Sequence, residues 1–408
     1  MKAKHEKSLL AIAIEDRVDL WFSYGRENNS EVKLKPRVIP EGGDYFEHVH
    51  RLLGEMLLEL VQTVSPIIGH NNLLNGISAT VISTPGVVRN NQVLLQLPLW
   101  HSNSASDYTV QWHHEGHKRP RTSFDFPEIL ASFADTFGFE HWSSSERQRF
   151  KDTVFVVNDV TACAAFEHSR RRRRELDFVY TKIHDGINCG IVQRGHGDTF
   201  TIKAAHPEAG HSYPELHEYD AKAEFYGVCR PHNRGCFEGM VAAHSYVERA
   251  RHGKSIVFTG WKHQVEKFQL DGLQGQELDN AMLHYLLGDD SQPPAGNGEG
   301  VELIAHYVGQ LAYQLAIGPL APEQLVFGGR MAKPIVLEAI RTNIKTWSNG
   351  YPRWQELTSP GIEKFIVSSR AVSGQKHNIE IEGALTIARS RATQRQSGQL
   401  ILLSGDRT

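Results

Sequence analysis

At 408 residues with 40% apolar content, the chain can build two to three domains or one large bilobal protein around a real core. A net charge of −3 excludes bulk electrostatic attraction to nucleic acid or to an anionic membrane surface. Four cysteines in a chain this long exclude a disulfide framework, and no apolar run approaches the roughly 20 residues of a membrane span.

Met1–Lys7 is polar and Leu9–Ile14 is too short an apolar run for a signal peptide, so a cytoplasmic protein is expected. Leu9–Tyr24 (LLAIAIEDRVDLWFSY) reads as two β-rich runs about a turn near Asp16–Arg17, a hairpin opening a domain. Asp44–Val64 carries apolar residues at helical spacing without a breaker. Ile77–Thr84 (ISATVIST) predicts a buried strand that stops at Pro85–Gly86. His101–Thr122 turns polar and histidine-rich, as an exposed loop or flap would. Thr153–Arg170 (TVFVVNDVTACAAFEHSR) predicts a strand running into a helix, with Asn158–Asp159 at the junction. Asp177–Ile202 predicts successive strands with glycine turns. After Gly239 helices dominate, and Asp289–Gly300 reads as a loop between two of them. Glu323–Ile340 predicts strand, Gly-Gly turn and helix. Asn378–Ala392 predicts a closing helix, and the tail beyond it reads as loosely held. No internal repeat is visible. Strands alternating with helices in both halves predict an α/β protein of two lobes.

The chemistry concentrates in His206–Gly239 (HPEAGHSYPELHEYDAKAEFYGVCRPHNRGCFEG). Cys229, His232 and Cys236 stand at Cys-x2-His-x3-Cys spacing, with His211 upstream. Thiolate and imidazole suit tetrahedral Zn²⁺, and four such ligands leave no open position, which makes the expected site structural. The competing reading is a pair of buried free cysteines beside surface histidines. A catalytic zinc in a hydrolase ranks lower, because it would need an open coordination position.

These residues resemble the zinc-motif region of the repressor–ORF–kinase (ROK) family. HPEAGH, the Cys/His cluster and GCFEG are most similar to its bacterial fructokinase branch. STPGVV (Ser83–Val88), VVNDVTACAAFEH (Val156–His168), LVFGG (Leu325–Gly329) and EGAL (Glu382–Leu385) are similar to further family segments, in the same order. The resemblance implies a two-lobed α/β fold, actin-like and hexokinase-like (ribonuclease H-like), with sugar and Mg-ATP in the cleft. The expected lobes are 1–157 and 158–377, the zinc motif 206–239 in the second and a closing helix 378–394 returning to the first. It implies that Asp159 is the general base toward a sugar hydroxyl. Asn158, Glu208, His211 and Glu238 would bind the other hydroxyls, His211 also ligating structural zinc with Cys229, His232 and Cys236. Gly186, Gly328 and Gly329 would lie against the nucleotide, and a homodimer is the expected assembly. Taken alone, Asn158–Asp159 is also an ordinary helix N-cap, and Glu208 and Glu238 would be solvated carboxylates.

The nucleotide motifs depart from the family. Its kinases carry a Gly-Gly-Thr-type turn between the first two strands, where backbone amides approach phosphate. Here the place reads AIEDRVDLWF, with no glycine between Ala11 and Tyr24, and Glu15, Asp16 and Asp19 put negative charge there. In the second phosphate turn Gly186 and Gly190 persist, but Asp185, Asn188 and Cys189 stand in place of a threonine and glycines. Both departures weaken phosphotransfer. Sugar-responsive repressors of the family show a similar loss, but carry a winged helix-turn-helix ahead of the first strand. About seven residues stand there in this chain, so DNA binding by that device is not expected. Arg170–Arg174 reads as cations complementing a helix C-terminus, with a nucleic-acid patch as the alternative.

Overall fold

Ser8–Ile14 (β1) is apolar apart from Ser8 and buried along its whole length, as a strand covered on both faces must be. It turns at Glu15–Asp16 into Arg17–Tyr24 (β2), the antiparallel hairpin expected from the sequence. The computed structural model describes residues 8–24, 30–40, 45–68, 73, 76–86, 88–89, 91–94, 123–136, 142–171, 176–183, 186–195, 200–203, 209–229, 235–254, 275–288, 298–318, 320–348, 350–359, 361–369, 378–393 and 400–403. Expectations for the 101–122 segment, Asp185, Glu208, His232, Arg172–Arg174 and most of the 289–300 loop fall outside these residues.

Ser30–Lys33 (β3) and Arg37–Val38 (β4) pair with β2, while Ile77–Thr84 (β5) runs parallel to β1. Val88–Arg89 (β6), Gln92–Leu94 (β7) and Ser123–Asp125 (β8) form a small separate sheet. Val154–Asn158 (β9) runs parallel to β5 and completes a six-stranded sheet ordered β3-β2-β1-β5-β9, with β4 also on β2. Tyr45–Ile68 is the expected amphipathic helix, burying Leu53, Met56 and Leu60 in the core beside this sheet.

A second six-stranded sheet follows. Phe178–Ile183 (β10), Ile187–Arg194 (β11) and Phe200–Lys203 (β12) form a meander. Gln324–Gly328 (β13) and Ile366–Ser368 (β14) add in parallel on the other side of β10. The tail differs from its sequence reading: Leu400–Leu403 (β15) pairs in parallel with β12, making the order β14-β13-β10-β11-β12-β15. A four-residue apolar run is too short to read as a strand alone, and here it is recruited by an open sheet edge.

Two helices join the sheets. Asp159–Arg170 leads from β9 toward β10, and the closing helix Ile379–Thr393 packs against it and against β1 and β5. Residues of both sheets and both helices share one buried cluster, from Leu9 and Val81 through Ala164 to Tyr180, Val326 and Ala384. The fold is the expected two-lobed actin-like, hexokinase-like α/β architecture.

Beside the second sheet, a buried ion pair pins the short helix Glu218–Ala223 that follows His211. Arg249 donates from Nε and Nη2 to the two Asp220 oxygens at 2.8 and 3.0 Å, with both side chains fully buried. The Tyr307 hydroxyl also donates to Asp220, at 2.5 Å, and the guanidinium lies over the rings of Phe225 and Tyr246. No helix among the described residues is long and apolar enough to cross a membrane.

Candidate functional site

In both sheets the parallel strands end in chemistry-bearing turns, the place where open α/β sheets offer a crevice. In the first, β1 ends at Glu15, β5 at Pro85–Gly86, and β9 at Asn158–Asp159. The pairing of Thr84 with Asn158 brings the last two together. In the second, β10 ends at Ile183, ahead of Gly186, and β13 ends at Gly328–Gly329.

Asn158 is the N-cap of the Asp159–Arg170 helix: its Oδ1 accepts from the Val160 backbone at 3.0 Å, and its Nδ2 donates to the Gly86 carbonyl at 2.9 Å. Both ends of the amide thus hold the strand-end turns in register, which is the ordinary structural role of this residue type.

Asp159 meets a residue that the sequence reading missed. The Lys182 ammonium, on a strand buried at every position, donates to Glu15 Oε1 at 2.7 Å, Asp159 Oδ2 at 2.8 Å and Glu380 Oε1 at 2.7 Å. Glu15 is therefore paired with an ammonium that it shares with Asp159 and Glu380. Asp19 is likewise engaged, accepting from Arg17 at 2.9 Å and from Asn378 at 2.8 Å. Asn378 in turn caps the closing helix, its Oδ1 accepting from the Glu380 backbone N–H at 3.0 Å. The available signal was a lone lysine inside FVYTKI, since a buried lysine must find carboxylates.

Burial opposes the charge on Lys182, but Asp159, Glu15 and Glu380 outweigh it and hold the ammonium well above the ordinary lysine range. Burial first, then Glu15 and Asp159, push the Glu380 carboxyl up to about 8 against the pull of Lys182. In the unfolded chain Glu380 ionises near 4.5, so between these values the folded protein holds a proton that the unfolded chain has lost. Its stabilising contribution is full below that range and falls as pH rises toward about 8. Melting temperatures from pH 5 to pH 9 should therefore decline less for Glu380→Gln than for the unmodified protein. Parallel declines would remove Glu380 as the cause.

His211, Cys229 and Cys236 converge, with their ligand atoms all within 4.8 Å of one another. His211 Nδ1 lies 3.6 Å from each sulfur. A tetrahedral ion about 2.3 Å from sulfur and about 2.0–2.1 Å from nitrogen sets N···S edges of about 3.6 Å, so this donor set fits zinc. Cys236 is also suited as a thiolate. Hydrogen bonding from Cys229, helped by His211 and by the Gly239 amide at 3.3 Å, brings it down to about 4 against its burial.

Glu238 faces the turn between β10 and β11. Its Oε2 accepts from the Ile187 backbone N–H at 3.3 Å, and its Oε1 lies 3.9 Å from Cys229 Sγ. A Cβ on Gly186 would stand 2.7 Å from that same Oε2. The backbone amide at this turn thus points at a carboxylate of the protein itself. Gly328 and Gly329 are accounted for by β10: a Cβ on the first would overlap the Tyr180 hydroxyl. The second has φ +92°, and a Cβ there would lie 2.3 Å from the Ile183 carbonyl.

The sequence matches no protein-family model and no curated protein. Solved structures share the fold at low identity. A glucokinase from Balamuthia mandrillaris in complex with glucose is 11% identical, covers 95% of each chain and superposes with a TM-score of 0.59. A ROK family transcriptional regulator, a homologue of the E. coli MLC protein, is 16% identical over 95% of this chain and 78% of its own, at 0.57. A ROK family glucokinase from Streptomyces griseus in complex with glucose and AMPPNP is 15% identical over 94% of this chain and 99% of its own, at 0.51. At these identities the likeness shows the fold.

Proposed function

We propose that this chain is a ROK-type sugar-binding protein that senses a sugar in its cleft and works through a partner, without phosphoryl transfer. The observation that carries the reading is the Lys182–Asp159 ion pair. A proton taken from a sugar hydroxyl would come onto a carboxylate whose Oδ2 already accepts from the Lys182 ammonium at 2.8 Å, and that positive charge opposes the transfer. The Ile187 amide facing Glu238 supports the same reading, since a phosphate there would meet a carboxylate. Sugar kinase activity with Mg-ATP and Asp159 as base is the second reading, favoured by the fold shared with glucokinases.

Asp159, Glu208 and His211 are the proposed sugar contacts, with Asn158 and Glu238 holding the turns around them. His211, Cys229, His232 and Cys236 are the proposed zinc ligands. The ion would supply structural cross-linking and fix the tautomer and orientation of the His211 ring. The protein is proposed to be cytoplasmic and homodimeric, the assembly being testable by sedimentation.

Calorimetry with a panel of hexoses and amino sugars tests the reading. We expect one of them to bind without nucleotide, and Glu208→Ala to weaken it about tenfold or more, as loss of a charged hydrogen-bond partner does. ATP should bind at about millimolar strength or weaker. Steady turnover of Mg-ATP with any sugar would return the kinase reading.

A further inference from the structure

Lys182 and the three carboxyl groups around it come from distant parts of the chain. Glu15 lies in the turn after β1, Asp159 opens the helix after β9, Glu380 sits in the first turn of the closing helix, and Lys182 belongs to β10. An ammonium has three N–H bonds, and all three are spent on carboxylates at 2.7–2.8 Å. Lys182 therefore has no donor left for a phosphate oxygen, which excludes the role of a phosphate-gripping lysine.

One oxygen from each of the three carboxylates lies within 4.8 Å of the others. Hard divalent cations sit about 2.0–2.6 Å from such oxygens, so a contraction of a few tenths of an ångström would turn the ammonium's cage into a metal's. Lys182 and Glu380 are nearly buried, while Glu15 and Asp159 at the strand ends keep modest exposure. Charge points the same way: even with Glu380 holding its proton, the carboxyl groups of Glu15 and Asp159 both flank the single ammonium.

We propose that Lys182 is a built-in cation standing where these carboxylates would otherwise hold a divalent metal, and that it makes the cleft select uncharged polyols over metal–nucleotide complexes. The selectivity half rests on the sugar-binding reading above; the built-in cation does not. Lys182 is thus a specificity-determining residue, supplying charge that a kinase must recruit from solution.

The test is Mn²⁺ binding, followed by electron paramagnetic resonance and melting temperature, with any zinc site first saturated. The unmodified protein should bind no Mn²⁺ that Asp159→Asn removes. Lys182→Ala should bind one Mn²⁺ per chain, lost again in Lys182→Ala/Asp159→Asn. At about a hundred times its dissociation constant, Mn²⁺ should raise the melting temperature of Lys182→Ala by about 3–6 °C. If Lys182→Ala folds only with Mn²⁺ present, the proposal is supported in its strongest form. A folded Lys182→Ala without Mn²⁺ affinity would overturn it. So would a chain that stays unfolded in millimolar Mn²⁺, or Asp159-dependent Mn²⁺ binding by the unmodified protein. Sugar calorimetry on the unmodified protein is a separate readout, so failure of the sugar reading leaves the metal result standing.

Discussion

Replacing Arg249 by methionine is expected to lower folding stability by about 3–5 kcal/mol, the cost of leaving a buried carboxylate without its counter-ion. Asp220 would keep only the Tyr307 hydroxyl at 2.5 Å, in a site with no measurable solvent exposure. The pair is bidentate and its cation lies over two aromatic rings, so packing and charge are lost together. The second substitution should reverse much of the damage. Asp220→Leu/Arg249→Met removes both charges, and buried pairs exchanged for apolar residues often fold as well as the original. Urea denaturation of the two variants measures this. A loss below about 1 kcal/mol in the single variant would mean that the pair behaves like a surface ion pair.

Cys236→Ser should be at least as damaging, and the choice of serine separates two roles of the residue. Cys236 is the N-cap of the helix Phe237–Val241, its sulfur accepting from the Gly239 amide. Serine caps helices well, and even a complete loss of a cap costs only about 0.5–2 kcal/mol. A much larger loss is what the proposed zinc implies, since metal binding to small structural sites is worth about 10–16 kcal/mol in apparent terms. We expect about one zinc per chain by elemental analysis, and a chelator should destabilise the unmodified protein while leaving Cys236→Ser unchanged. Equal response of both proteins to chelator, or no zinc in protein that keeps its thiols freely reactive, would end the zinc reading.

Local signals carried much of this architecture. The β1–β2 hairpin about Asp16–Arg17, the strand halted at Pro85–Gly86 and the strand-to-helix junction at Asn158 were legible because each depends on neighbours within a few residues. The convergence of His211 with Cys229 and Cys236 was legible from spacing, as soft ligands rarely cluster without cause. The Lys182 cage was not. Its partners lie 167 and 198 positions away in sequence for Glu15 and Glu380, and nothing local ties these carboxylates to one lysine until the fold brings them together. Glu238 was legible as part of the motif, but its contact with the Ile187 amide was not, because that contact depends on where β11 begins.

The pairing of β12 with β15 bears on how the molecule is made. Phe200 lies beside Leu400, so the outer edge of β12 waits about 200 positions for its neighbour. At ribosomal speeds of about 5–20 residues per second, that is roughly 10–40 s during which the growing chain presents an unpaired strand. Bare edges recruit other strands, and in a polysome the nearest candidates are identical nascent chains. The meander β10–β12 can therefore fold early, but its protection arrives late, and the interval favours a chaperone that shields strand edges during synthesis.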